Sequence, residues 1–100
     1  GLTEEEAYYL CMNDIAIVEK ELLQNKPIVN QLDAVRQMVL VDMAFNMGVP
    51  RLMKFLNMWM AIKKENYPLA CLEMLDSRWA NQVGKRATKL SEAMKSGEWN

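Results

Sequence analysis

The stretch Asp33-Ala34-Val35-Arg36-Gln37-Met38-Val39-Leu40-Val41-Asp42-Met43-Ala44-Phe45-Asn46-Met47-Gly48 decides the fold. Asp33 is a short carboxylate placed to accept from the free backbone N–H groups of a helix start. From Met38 to Phe45 the run is apolar on nearly every side, with Asp42 the sole interruption. That pattern predicts a central helix from Asp33 to Met47, buried on most of its faces. Gly48 stops it as a C-cap. Pro50 then permits a fresh helical start.

The same signals bound the flanking elements. Toward the N-terminus, Thr3-Glu4-Glu5-Glu6 forms a capping box, and its acids suit the positive end of a helix dipole. Ala7, Leu10, Cys11, Asp14, Val18 and Leu22 follow at helical spacing. A long helix is therefore expected from Glu4 to Gln24, ended by Asn25-Lys26-Pro27. Asp14 falls on its apolar side, where a cation or a backbone group should partner it. Toward the C-terminus, Leu52 to Glu65 reads as one or two short helices, and Pro68 to Leu75 as another. A short helix surrounds Ser77 to Gln82. Gly84 punctuates the chain, and a last amphipathic helix runs from Lys85 to Lys95 and stops at Ser96-Gly97. No alternation of period two is long enough for a strand. The expected fold is all-α: a single domain, 1–100, of about six or seven helices, with a long helix over 1–25 and a compact helical core over 32–100.

Composition narrows the function classes. The 100 residues are 51% apolar and 25% charged, with a net charge of -1. That balance excludes a nucleic-acid binder driven by counterion release, and a partner defined by anionic membrane. No apolar run reaches the roughly 20 residues of a membrane span. Glu4-Glu5-Glu6 occupies the place where a signal peptide would carry bases. Histidine is absent, which removes Ser-His and Cys-His nucleophile pairs. Cys11 and Cys71 are too few for a zinc site, so neither metal nor cofactor is expected. Buried thiols and a disulfide both stay open for the two cysteines. Met38, Met43, Met47, Met53, Met58 and Met60 read as adaptable core filler. Trp79 and Trp99 read as structural anchors in preference to sugar platforms. Arg78, Gln82 and Arg86 stand four apart, which places them on one helix face, either a functional strip or a solvated one.

Three groups of residues carry a resemblance. The first is Leu32-Asp33-Ala34-Val35-Arg36 leading into Asp42-Met43-Ala44-Phe45-Asn46-Met47-Gly48. The second is Phe55-Leu56-Asn57. The third is Ser77-Arg78-Trp79-Ala80-Asn81-Gln82, with Arg86-Ala87 and a closing Gly97-Glu98-Trp99. In this order they resemble the C-terminal helical lobe of bacteriophage-type (T-even phage-like) lysozymes, glycoside hydrolases that cut peptidoglycan. The resemblance covers the whole chain. It implies that the first helix is the long helix linking the two lobes of that fold. It implies that Phe45 and the amide at Asn46 face the sugar chain. It implies a polar strip near the cleft from Arg78, Gln82 and Arg86, with the arginine at Arg86 paired to the catalytic glutamate of the other lobe. Asn46 is a methylene shorter than the usual amide. Met58 replaces a small hydroxyl residue, and Glu73 replaces an amide.

Glycoside hydrolysis needs a carboxylic acid and a second carboxylate across the bond. In that family both lie in the N-terminal lobe, in a Glu…Asp…Thr arrangement that has no counterpart here. Asp42 and Glu73 are the carboxylates nearest the presumed cleft. The expectation is a chain with no catalytic residue of its own. It would act as a binding module for a protein partner, of inhibitor or counter-defence type, or for peptidoglycan. The alternative is a fragment of a complete muramidase, and a self-contained enzyme of altered mechanism is the third reading. A phage-encoded protein in the cytoplasm of a bacterial host fits the resemblance. Self-association as a homo-oligomer is expected through the face the other lobe would cover.

Overall fold

The computed structural model describes the backbone of residues 4–99 and the side chains of residues 14–99. The Thr3 capping box and the side chain of Cys11 lie outside the described residues. Among these residues the chain forms seven α-helices and no strand: α1 (Glu4–Asn25), α2 (Ala34–Met47), α3 (Val49–Leu52), α4 (Leu56–Lys63), α5 (Tyr67–Leu75), α6 (Arg78–Val83) and α7 (Lys85–Ser96). A 3-10 turn, Pro27–Gln31, links α1 to α2. The apolar spacing did not foreshadow that turn, because five residues are too few to show a period.

The expected punctuation is where the helices break. Asp33 caps α2, its Oδ2 accepting from the Arg36 backbone N–H at 3.1 Å. Gly48, at φ 87°, ends α2 and leads directly into α3, where Pro50 occupies the first turn. Ser77 caps α6: its hydroxyl accepts from the Ala80 N–H at 3.2 Å and donates to the Met74 carbonyl at 2.7 Å. Asn66 starts α5 two residues ahead of Pro68, its side chain accepting from the Leu69 N–H.

One core joins these helices. Leu40 and Met43 of α2, Leu52 of α3, Met58 and Ile62 of α4, and Met74 of α5 meet Leu90 and Met94 of α7 there. α7 is amphipathic: Ala87, Leu90, Ser91, Ala93 and Met94 turn inward at helical spacing, chiefly against α5. Trp59 is buried beside them and donates its indole N–H to the Leu52 carbonyl at 3.0 Å.

Three expectations need correction. First, α2 is buried on one face and open on another. Val39, Leu40, Met43 and Ala44 are buried, but Met38 and Phe45 are 44% and 45% exposed. A helix that is apolar all round can be covered only where neighbours exist, and among the described residues α1 and α7 leave this side uncovered. Second, Met38 and Met60 are not core filler, for both are exposed, while Met43 and Met58 are core and Met47 and Met53 lie partly buried against it. Third, Asp14 is exposed to solvent and not drawn into an apolar seam. Trp79 is the anchor its position suggests. Trp99 is an exposed ring that Lys89 covers, with the ammonium 5.3 Å from the ring centroid.

The cysteine alternatives separate at Cys71, which is a free, buried thiol in α5. Burial pushes its pKa up, against the opposing effect of the nearby Ser91 hydroxyl, so it stays protonated and packs as a small apolar side chain.

Arg36 ties the ends of the fold together. Its Nε donates to the Met94 carbonyl at 2.7 Å and its Nη2 to the Lys95 carbonyl at 3.0 Å. Nη1 reaches Asp33 Oδ1 at 3.0 Å, and the guanidinium lies over the Tyr67 ring, 3.5 Å from its centroid. Helix ends leave carbonyls without partners, and a cation there suits the dipole. Gly97 makes room for it: a Cβ at Gly97 would stand 3.0 Å from Arg36 Nη1.

Two measurements check this arrangement. Arg36→Ala should lower unfolding stability in urea by about 2–4 kcal/mol, since hydrogen bonds to a charged group contribute roughly 1.5–3 kcal/mol. Arg36→Lys should lose at least half as much, because an ammonium has no planar fork. Loss of less than about 0.5 kcal/mol in both would mean that the guanidinium carries no structural role. The second measurement concerns pH. Burial raises the Asp33 pKa, but hydrogen bonds and charge from Arg36 outweigh it and hold the carboxyl below its ordinary value. A depressed pKa gives stability that is complete above the unfolded value near 4 and is lost as pH falls through the folded value. Asp33→Asn keeps a capping oxygen but should flatten the stability profile below about pH 4. An unchanged acid limb in that variant would remove Asp33 from the pH response.

Candidate functional site

The expected strip does not form as one surface. Gly84 adopts φ 61° and ψ -122° between α6 and α7, so the helix that would have aligned Arg78, Gln82 and Arg86 is interrupted. The three side chains go to different neighbours. Arg78 lines a cavity of about 330 Å³. Gln82 accepts from Arg51 Nη2 at 3.1 Å. Arg86 turns to α2, where its Nε donates to Asp42 Oδ1 at 3.1 Å and its Nη2 pairs with Asp42 Oδ2.

The Asp42–Arg86 pair is the first of two places where polar groups converge. Asn46 joins it, donating its amide to Asp42 Oδ1 at 2.6 Å and to the Asp42 carbonyl at 2.9 Å. The shortened amide thus turns back onto its own helix. Asp42 is largely covered, and Arg86, at 55% exposure, is the solvent-facing partner. Around the pair, Ile15 of α1 and Met38, Val41 and Phe45 of α2 line a groove of about 290 Å³. Phe45 and Asn46 are therefore close to Arg86, and Arg86 has its carboxylate partner within this chain.

The second place is the cavity itself. It lies where the turn between α3 and α4 faces the turn between α5 and α6. Phe55, Leu56 and Met58 form its apolar side. Arg51, Lys54 and Arg78 bring positive charge to it, and Glu73 and Asp76 negative charge. Trp79 also lines it, and the buried Trp79 Nε1 has no hydrogen-bond partner among the described residues. Met58 and Glu73, two of the substituted positions, are both part of this lining.

Arg51, Lys54 and Asp76 did not stand out in the sequence. Each is an ordinary surface charge until the turns are brought together, and no local pattern marks them. Phe55 was visible only as part of a motif. Asp42 and Glu73, the carboxylates nearest the presumed cleft, line different concavities. Among the described residues no group of three acidic, cysteine or histidine side chains could hold a metal ion. No helix of the described residues is long and apolar enough to cross a membrane.

No family model matches the chain. Individual proteins do. It is 26% identical over 102 residues to "Probable T4-type lysozyme 1" of Dictyostelium discoideum, covering 99% of this chain and 60% of that protein. It is 31% identical over 70 residues to "Probable T4-type lysozyme 2" of the same organism, covering 70% of this chain and 41% of that protein. It is 30% identical over 100 residues to the "Pre-baseplate central spike protein Gp5" of Enterobacteria phage T4, covering 97% of this chain and 17% of that protein. The chain thus spans 60% or less of the length of these relatives. The all-helical fold and the ordered motifs around Asp33, Phe45 and Trp79 accompany this similarity, and the chain, a small helical domain similar to T4-type lysozymes over nearly its whole length, is consistent with a lysozyme-like helical lobe.

Proposed function

We propose that this lobe binds peptidoglycan and does not itself cut it. The observation that carries the reading is the 330 Å³ cavity with its aromatic, apolar and charged lining. Concave sites of this size that combine apolar walls with a few convergent polar groups are the usual places for ligands. Two relatives bear the name lysozyme, which makes a cell-wall polymer the ligand to test. The carboxylates speak for holding over cutting. A glycosidase sets its acid and its second carboxylate on opposite sides of one bond. Here Asp42 is engaged by Arg86 and Asn46, away from the cavity, and the two carboxylates that do line it, Glu73 and Asp76, both come from the end of α5, three residues apart, so they stand on one side of it. In a longer lysozyme the same lobe would hold substrate for carboxylates supplied from elsewhere, and the greater length of the relatives keeps that alternative in play.

Purified sacculi separate these outcomes. The chain should pellet with peptidoglycan, and the turbidity of the suspension should stay constant. A protein left in the supernatant would remove the binding role. Clearing of the suspension would overturn the non-cutting part.

The open side of α2 supports a second reading, binding to a protein. Ile17 is 64% exposed on α1, and Met38 and Phe45 flank the groove that holds the Asp42–Arg86 pair. Exposed apolar surface of this kind favours association. A second copy of the chain is the simplest partner. Sedimentation velocity should then show a concentration-dependent dimer that Phe45→Asp abolishes. A monomer at every concentration would count against self-association.

A further inference from the structure

A separate concavity, of about 300 Å³, lies where the end of α1 and the 3-10 turn meet α4. Asn25, Lys26, Pro27, Ile28, Trp59 and Lys63 line it, and none of them lines the larger cavity. Pro27, Ile28 and the Trp59 ring give it an apolar floor. Trp59 is 5% exposed and its indole N–H is already donated to the Leu52 carbonyl, so the ring meets the concavity only as an apolar surface. The Lys26 ammonium stands over that ring, 5.4 Å from its centroid. Lys63 joins it from the last turn of α4. The charge here has one sign: two cations and, among the described residues, no carboxylate in the lining. Among those residues the ion pairs are Arg36 with Asp33 and Arg86 with Asp42, so neither lysine is paired.

Each lysine taken singly has an ordinary explanation. Lys26 follows the last residue of α1 and Lys63 is the last residue of α4, and a cation suits the negative end of a helix. Together they do not cancel. A helix end is equivalent to about half a negative charge, so two ammonium groups against two such ends leave a surplus of about one positive charge. The apolar floor beneath that surplus strengthens its attraction for an arriving anion. We propose that this concavity binds a small monocarboxylate with an apolar body, of the size of benzoate. The carboxylate accepts from the ammonium groups of Lys26 and Lys63, and charge strengthens each of those hydrogen bonds. The body rests on Pro27, Ile28 and the Trp59 ring. An ammonium is a point charge with rotatable donors, so the charge balance and the apolar floor set the ligand class, not a fixed fork. A surplus near one charge matches a monoanion and leaves the second charge of a phosphate monoester unanswered. The volume lies at the small end for ligand sites, which suits a single ring. The site stands independently of the peptidoglycan reading, since the two concavities share no residue.

The test titrates the ¹⁵N-labelled chain with benzoate, benzamide and phenyl phosphate. Benzoate should shift the backbone signals of Lys26, Ile28 and Lys63 together with the Trp59 indole signal, with a Kd of roughly millimolar order, as fits so small a ligand. Benzamide keeps the shape and loses the charge, and should bind roughly fivefold or more weakly. Phenyl phosphate should bind within about threefold of benzoate. Lys63→Gln should weaken benzoate roughly three- to fivefold, and Lys63→Arg, which keeps the cation, should stay within about twofold of the parent chain. Lys63 is exposed, and unchanged signals elsewhere in the spectrum verify the fold of each variant.

Four results would overturn the proposal. One is the absence of shifts at these residues up to about 20 mM benzoate. Equal binding of benzoate and benzamide would reduce the site to an apolar pocket. Phenyl phosphate binding roughly tenfold or more tighter than benzoate would make it a site for phosphate monoesters. Benzoate binding that Lys63→Gln leaves unchanged would remove the paired lysines from recognition.

Discussion

The guanidinium of Arg36 is the contact on which the remaining arrangement depends. It is one side chain reaching the cap of α2, the last carbonyls of α7 and the aromatic ring that opens α5. Without it the C-terminal end of α7 would present bare carbonyls to the start of α2. Three elements far apart in sequence are thus held in one register by a planar group with fixed donor geometry. Gly97 is the counterpart: at φ 74° it closes α7, and its lack of a side chain leaves the space Arg36 fills. With α7 held there, its apolar face closes the core against α5 and α2.

The two polar places differ in how their charges are resolved. At the α2 groove, Asp42, Asn46 and Arg86 satisfy one another, and an arriving carboxylate would have to compete for Arg86. At the cavity the charges stay apart. Arg86 is thus held in a local pair, while the unpaired charges lie on other helices. Met58 and Glu73 both belong to that second place.

Much of the fold was legible because helix ends are written in single residues. Asp33, Gly48, Ser77, Gly84 and Gly97 each act through their own backbone or side-chain geometry, and the helices break beside them. The candidate site was less legible. Phe45, Asn46 and Arg86 do come together, but the even spacing of Arg78, Gln82 and Arg86 implied a continuous helix that Gly84 interrupts. Periodicity counts residues and assumes one axis, so it fails wherever the axis turns.

What the sequence by itself determined is the set of helices, their caps, and a core rich in methionine. These depend on near neighbours, within a turn or two of helix. Only the tertiary structure decided that α2 leaves Met38 and Phe45 in solvent, that Arg86 meets Asp42 across 44 residues, and that Arg51, Lys54, Glu73, Asp76 and Arg78 share one cavity. Those outcomes depend on which surfaces other helices cover, and on turns that bring separated segments face to face. Charge in a sequence has no direction until the packing supplies one.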